Sequence, residues 1–124
     1  MKELVTILAA VTIGSAWFEI SPVGAEGLQK LSGAQIRSKF AGMQLTDEVH
    51  WRYVYDRDGR LRSYSMGTKK VGKWTVEKDE LCFHLNEPDD GCYEVSRAGE
   101  RIEMKPSGLG TTLEGVLQAP ADHN

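Results

Sequence analysis

The feature that most constrains the fold is an alternation of apolar and polar residues through the second part of the chain. It recurs in short segments between residues 49 and 117, separated by turn-forming stretches such as 56–59. A period of two is typical of strands with one buried face, and turns at this spacing join antiparallel neighbours. The segments that we interpret as strands are 49–55, 61–66, 73–77, 81–85, 92–95, 102–104 and 111–117. They predict a six- to seven-stranded antiparallel meander, folded as a curved sheet or a small barrel.

A short helix precedes the strands. Ser32 is followed by Gln35 at the spacing of a capping box, in which each side chain bonds the other residue's backbone N–H. Leu31, Ile36 and Phe40 are candidates for one apolar stripe, and Gly42 is of the residue type that commonly ends a helix. We therefore predict a helix over 32–41, too short to be stable unless it packs on the sheet. The predicted fold class is mainly β, with one N-terminal helix (α+β).

The apolar positions of these elements are enough to fill one core of a domain this size. They are Trp51, Tyr53, Tyr55, Trp74, Val76, Leu81, Phe83, Leu85, Tyr93, Val95, Ile102, Met104, Leu113, Leu117, Ile36 and Phe40. Trp51, Tyr53 and Trp74 have a second interpretation, as the aromatic lining of a ligand pocket. Their spacing is equally that of a plain β core, which is the interpretation that we favour.

The two cysteines, Cys82 and Cys92, flank a turn-rich segment, 86–91, within alternating sequence. Strands paired across that turn would place both side chains on one face, close enough to bond. We predict a hairpin closed by a Cys82–Cys92 disulfide on the more polar, outer face of the sheet. A redox-active pair is the alternative, but such pairs usually lie closer together, as CxxC.

The first 25 residues have the pattern of a secretory signal peptide. Residues 4–18 carry no charge, yet this run is shorter than the roughly 20 apolar residues that span a bilayer. Val23 and Ala25 are small enough for a signal peptidase, so we predict cleavage after Ala25 and a periplasmic or secreted protein without a stable membrane span. An uncleaved anchor or a buried helix is the alternative. The domain then covers 26–118, followed by a flexible tail at 119–124.

The charge is unevenly distributed although the whole chain carries only −3, a balance that argues against nucleic-acid binding. Residues 52–73 hold seven basic and two acidic side chains, whereas residues 77–103 are strongly acidic. We predict that a polar loop at 67–72 and the neighbouring basic residues contact an anionic partner. The alternative is that oppositely charged strands pair across a solvated face. The predicted contact residues are Lys69, Lys70, Lys73, Arg52 and Arg62.

No motif identifies a catalytic, cofactor or metal site. The serines lack a neighbouring base, so we assign no catalytic residue and favour a protein that is not an enzyme. His50, His84 and Glu94 could bind a metal only if the strands brought them together, and solvated side chains are the preferred interpretation. Residues 56–59 have the spacing of the start of a calcium loop, but the distal glutamate is missing and a turn is favoured. We expect no cofactor and no metal.

The order of these features resembles a family of small exported proteobacterial proteins of unknown function. The similarity covers about residues 31–95 and consists of LSGAQIRSKFAG, YDRDGRL, VGKWTV and LCF followed by CYEV. It implies an envelope location and a lipocalin-like barrel or half-barrel, and it implies no catalytic residues. A more distant similarity is to periplasmic inhibitors of lysozyme, whose serine- and glycine-rich inhibitory loop is similar to residues 63–67.

These features together predict a small binding module that contacts a protein or an anionic envelope component through its basic loop. One alternative is a small-ligand carrier or small-barrel enzyme that uses the aromatic interior. Another is a periplasmic inhibitor of a cell-wall hydrolase. No sequence feature specifies the oligomeric state.

Overall fold

The computed structural model describes residues 27–88 and 90–120. This part of the chain contains one helix and nine strands. In chain order they are β1 (Gln29–Lys30), α1 (Gly33–Phe40), β2 (Met43–Thr46), β3 (Trp51–Tyr55), β4 (Arg60–Ser65), β5 (Thr68–Glu77), β6 (Glu80–His84), β7 (Gly91–Ala98), β8 (Arg101–Pro106) and β9 (Leu113–Gln118). The mainly β fold with one short helix is confirmed.

The strands from β2 to β9 form a closed antiparallel barrel. Each pairs with the next strand along the chain, and β9 returns to pair with β2, with Leu45 opposite Leu117 at the seam. The two-residue β1 adds to the outer edge of β7, where Lys30 lies opposite Ser96. The choice between a curved sheet and a small barrel is thereby decided in favour of the barrel, because closure leaves no long unpaired edge at the seam.

Three details of the predicted strands were wrong. β1 and β2 were missed because their short sequences carry too little alternation to stand out. The third strand starts at Trp51 instead of Val49, since residues 47–50 form a turn and leave Val49 77% exposed. Residues 68–72 of the supposed polar loop at 67–72 are the first half of the ten-residue β5, so the basic residues there lie on a strand.

The helix was predicted correctly, and the barrel anchors its first turn. Ser32 and Gln35 form the expected capping box, with side-chain to backbone bonds of 3.2 and 2.9 Å. A third bond comes from the barrel, because the Gly33 N–H donates to the Asp79 carboxylate at 2.6 Å. Asp79 lies in the turn between β5 and β6, so α1 is tied to that end of the barrel, where Ile36 and Phe40 are fully buried.

Aromatic rings fill much of the barrel interior. Tyr55 lies at the centre of this group, and its ring centroid is 5.1 Å from that of Phe40 and 5.6 Å from that of Trp74. Phe83 continues the group to Tyr53 at 4.9 Å and to Tyr93 at 5.3 Å. Most of the predicted core is buried, while Trp51, Val76 and Leu113 are only partly buried at its margin. Leu31, a candidate for the apolar stripe of the helix, is buried as well, and the core residues that sequence reasoning missed include Leu45, Val54 and Leu61.

The predicted disulfide between Cys82 and Cys92 is confirmed. The two residues lie directly opposite each other on β6 and β7, as the hairpin required. Their predicted exposure was wrong for one of them, because Cys82 is fully buried and Cys92 is half-buried. Cys82 occupies a strand with neighbours on both sides, Thr75 on β5 and Cys92 on β7, and these cover its small side chain.

Two predictions concern residues outside the described part of the chain. The signal peptide at 1–25, with its cleavage site after Ala25, lies wholly outside it, and so do residues 121–124 of the proposed tail. Within the described residues, no helix is long and apolar enough to cross a membrane.

Candidate functional site

Four of the five predicted contact residues lie on one outer face of the barrel, across β3, β4 and β5. Strand pairing places Arg52 opposite Tyr64 and Tyr64 opposite Lys69, so the three form a straight row across the strands. Arg62 and Lys73 lie on the same face in neighbouring rows. Lys70 has the opposite parity and points to the other side of β5. The structure therefore brings together most, but not all, of the predicted basic surface.

Two of these cations are neutralised by acidic groups of the chain itself. Arg62 makes a two-pronged ion pair with Asp56, with both N–O distances at 2.9 Å. Hydrogen bonds to the Asp56 side chain raise the pKa of Arg62 above its ordinary value, more than burial lowers it. Lys70 forms an ion pair with Glu87 in the loop between β6 and β7. The alternative of local charge pairing thus holds for Arg62 and Lys70.

Arg52, Lys69 and Lys73 have no acidic partner among the described residues. Arg52 lies over the Tyr64 ring, with its guanidinium carbon 3.8 Å from the ring centroid, and the Lys69 nitrogen lies 5.8 Å from the same centroid. Cations at these distances are attracted to the negative face of the ring. Arg62 donates to the Tyr64 hydroxyl at 3.2 Å and fixes the ring between them. We call Arg52, Tyr64 and Lys69 the cation–tyrosine row.

An open cleft of about 440 Å³ lies beside the cation–tyrosine row. Its floor contains Gln44, which is only 4% exposed although its side chain is polar. The Gln44 side-chain oxygen accepts a hydrogen bond from Arg52 at 3.3 Å, and the amide nitrogen has no partner among the described residues. Trp51 and Met66 line other parts of the cleft, and Met66 is 75% exposed. We call this the outer cleft; it combines a cation, an unbonded amide donor and apolar groups.

The loop that closes one end of the outer cleft is held by Asp47. Burial alone would raise the pKa of Asp47, but hydrogen bonds from the backbone N–H groups of Trp51, Val49 and His50 and from the His50 ring lower it well below its usual value. Asp47 therefore stays ionised as the pH falls through its ordinary range. Protonation of Asp47 would weaken these bonds, so the carboxylate holds the loop throughout the pH range in which it stays charged.

The proposed pocket aromatics have separate environments. Tyr53 and Trp74 are buried in the ring cluster of the core, and the Trp74 indole N–H donates to the Asp56 carbonyl at 2.9 Å. Trp51 is half-buried at the barrel margin, with its ring 5.3 Å from that of Tyr53, and it also lines the outer cleft. The positions of Tyr53 and Trp74 favour the interpretation that they pack the interior. Trp51, in contrast, is accessible from the outer cleft.

The residues considered for metal binding are already engaged with protein partners. His50 pairs with Asp47 at 2.9 Å, and His84 contacts the Thr75 hydroxyl at 3.1 Å. Glu77, Cys82 and Cys92 bring their ligand atoms within 4.8 Å of one another, but the two sulfurs are joined in the disulfide and offer no thiolate. In the turn with calcium-like spacing, the Asp58 carboxylate pairs with Arg60 at 3.1 Å.

Tyr64 and Gln44 are the site residues that sequence reasoning missed. Tyr64 carries a usable signal, because it alternates with two arginine-bearing positions on the outward face of its strand. Gln44 gives no such signal, since it belongs to the unrecognised β2 and its burial depends on the strands around it. Comparison of the chain with protein-family models, with curated proteins and with solved structures finds no match.

Proposed function

We propose that this chain is an exported binding protein that captures an acidic partner protein through the outer face of its barrel. One observation carries the proposal: Arg52 and Lys69 lie on either side of Tyr64 without an acidic partner among the described residues, beside the unbonded amide of Gln44. The neighbouring cations Arg62 and Lys70 are neutralised, so the positive charge left on this face for a partner is carried by the cation–tyrosine row and by Lys73.

The chemistry of the row and the cleft suits a carboxylate. A guanidinium group offers paired N–H donors to the two oxygens of a carboxylate, and the Gln44 amide adds a donor from the same floor. Part of the cost of ordering Arg52 is already met, because the Tyr64 ring and the Gln44 oxygen hold it in place. The exposed Met66 supplies apolar area at the cleft wall, which is a common component of protein interfaces.

The test uses poly-L-glutamate as a defined acidic probe and measures its affinity for the purified protein by calorimetry. We expect R52E combined with K69E to weaken binding at least tenfold, because both cations then repel the probe. The matched control is K78E combined with K105E, which changes the net charge equally at exposed positions outside this face. Equal losses in the two double variants would contradict the surface assignment and leave only a net-charge effect.

A second probe and the variant Q44A distinguish a protein partner from an anionic envelope component. Vesicles containing phosphatidylglycerol present phosphate groups on a flat surface, from which we expect few contacts with the Gln44 amide on the cleft floor. We expect them to bind less tightly than poly-L-glutamate and to be insensitive to Q44A, which removes both the donor on the cleft floor and the acceptor that positions Arg52. Tighter binding to the vesicles would contradict the proposal in favour of a membrane-surface partner.

Export is part of this proposal and has its own test. Intact-mass measurement of the protein produced in a Gram-negative host should find a chain that begins at Glu26 and is two hydrogens lighter than its reduced form. The disulfide between Cys82 and Cys92 supports this, because such bonds persist in oxidising compartments. A full-length, reduced chain recovered with the membrane fraction would contradict it.

Inhibition of a cell-wall hydrolase is a second candidate that fits the same face. The segment 63–67, which is similar to an inhibitory loop, forms the end of the hairpin between β4 and β5, and four of its residues line the outer cleft. Direct assay of lysozyme with and without the protein tests it, and unchanged lysis rates at saturating protein would remove this candidate.

A further inference from the structure

The first half of β5 forms an exposed strand edge. β5 pairs with β4 along residues 68–73, but its pairing with β6 begins only at Lys73. Residues 68–72 therefore have a strand neighbour on one side only among the described residues. Thr68, Lys69, Lys70 and Val71 are all exposed, and Val71 is 54% exposed although its side chain is apolar. The hairpin of β4 and β5 thus extends beyond the body of the barrel.

The backbone groups of this edge point away from β4 at alternate residues. The Trp74 N–H donates to the Gly59 carbonyl across the β4 side at 3.0 Å. Successive residues of an antiparallel strand direct their N–H and C=O groups to opposite sides. The backbone N–H and C=O groups of the even-numbered residues of β5 therefore point toward β4. The N–H and C=O groups of Lys69 and Val71 consequently face the open side, and no backbone bond to them is made within the described residues.

Close packing at Gly72 explains why β6 does not cover this edge. A Cβ atom at Gly72 would overlap the His84 carbonyl oxygen, so the end of β6 crosses directly against the Gly72 backbone. The loop that follows β6 turns toward the inner side of the hairpin, where Glu87 pairs with Lys70. The outer side of the edge is left with Lys69, Val71 and Lys73.

We propose that this edge takes up an extended acidic segment of the partner as an added β-strand. The inference rests on the proposed function, and it specifies how the partner is held: main-chain bonds to Lys69 and Val71, with acidic side chains beside Lys69 and directed diagonally toward Lys73, whose own neighbour is His84. Charge selects this occupant, because a second copy of the edge would bring its own lysines against these lysines. Lysines on a strand edge also oppose self-association, so the same residues exclude the homodimer and attract an acidic strand.

The test uses two synthetic peptides of equal charge. The first, Glu-Val-Glu-Val-Glu-Val-Glu, can form a strand; in the second, Glu-Val-Glu-Pro-Glu-Val-Glu, proline removes a central N–H and prevents regular pairing. We expect the first peptide to bind at least about tenfold more tightly, and to slow amide hydrogen exchange at Lys69 and Val71 by at least that factor.

V71P is the decisive variant. It removes the outward N–H of Val71 while leaving the β4 side of the strand intact, and proline is tolerated on edge strands whose N–H faces solvent. V71T is the matched control, because it keeps the N–H and changes only the side chain. We expect V71P to reduce the preference for the strand-forming peptide to below twofold and V71T to retain it, with circular dichroism showing that both are folded.

The outcomes separate the two proposals. Strand addition would be overturned if both peptides bound equally, if R52E/K69E weakened their binding and if V71P left it unchanged. That result would leave the proposed function in place. Binding that R52E/K69E does not weaken would overturn the proposed function itself. A dimer of the free protein that V71P dissociates would show that a second copy occupies the edge. If K69E/K73E promotes self-association and the wild-type protein binds neither peptide, the lysines only protect the edge, and the inference fails.

Discussion

At the scale of single residues, the Tyr55 hydroxyl is the least satisfied polar group that we identify in the core. The Tyr55 side chain is fully buried, and its oxygen has no hydrogen-bond partner among the described residues. Burial, followed by the nearby Tyr53 and Tyr93, raises the pKa of Tyr55 well above its ordinary value, so the hydroxyl stays protonated. A buried hydroxyl without a partner loses its bonds to water on folding and gains nothing in return.

We therefore predict that Y55F raises the free energy of unfolding by about 1 kcal/mol, because it removes the unpaired hydroxyl and keeps the ring contacts. Urea denaturation measures this change. The control is Y64F, whose hydroxyl accepts a bond from Arg62 and whose removal should lower stability slightly. A loss of stability in Y55F of more than about 1 kcal/mol would mean that the hydroxyl has a partner in solution.

At the scale of elements, the helix depends on the barrel for its position. Its eight residues make it marginal as an isolated helix, and its own capping box satisfies only part of its first turn. Asp79 supplies a further acceptor from the turn between β5 and β6, a turn in which Lys78 and Asp79 both have positive φ values, 50° and 64°. The turn geometry thus places the carboxylate directly at the start of α1.

We predict that D79A lowers the free energy of unfolding by about 1–2 kcal/mol, since it removes the acceptor for the Gly33 N–H and places alanine at a positive φ. D79N is the matched control, because asparagine keeps an acceptor oxygen and tolerates this conformation. Measured by thermal or chemical denaturation, D79N should lower the free energy of unfolding by less than half as much as D79A. Equal losses would contradict the assigned role of the hydrogen bond.

At the scale of the whole molecule, closure of the barrel depends on a narrow seam between β2 and β9. Gly115 lies on β9 opposite Ile102, and a Cβ atom at Gly115 would come within 2.7 Å of the Thr46 carbonyl oxygen and 3.1 Å of the Trp51 ring. Because these neighbours are backbone and a large ring, they cannot easily move to accommodate an added Cβ atom. The seam also borders the outer cleft, which Thr46 and Trp51 both line.

We predict that G115A lowers the free energy of unfolding by about 2 kcal/mol or more, because the added methyl group forces the seam apart. Chemical denaturation measures the loss. G108A is the control: Gly108 has no atom within 4 Å of an added Cβ, so its substitution should be nearly neutral. A neutral G115A would contradict the close approach of β9 to β2.

Sequence reasoning succeeded where the information is local. The alternation from residue 51 onward, the Ser32–Gln35 capping box and the turn between Cys82 and Cys92 each encode their structure within a few residues. It also found most of the core and four basic residues of the outer face. It missed β1 because a two-residue strand is defined only by its partner β7.

What the tertiary structure decided depends on residues distant in the chain. Closure requires β2 to meet β9, with Gln44 opposite Gln118, and no local pattern carries that information. The distribution of unpaired charge also depends on distant contacts. The sequence by itself determined that residues 52–73 are rich in basic side chains. Ion pairs with Asp56 and Glu87 decided which of these side chains are left without an acidic partner. The alternation of apolar and polar residues and the capping box depend on residues that are close in the sequence. Strand edges, the barrel seam and unpaired charges depend on contacts between strands that are distant in the sequence.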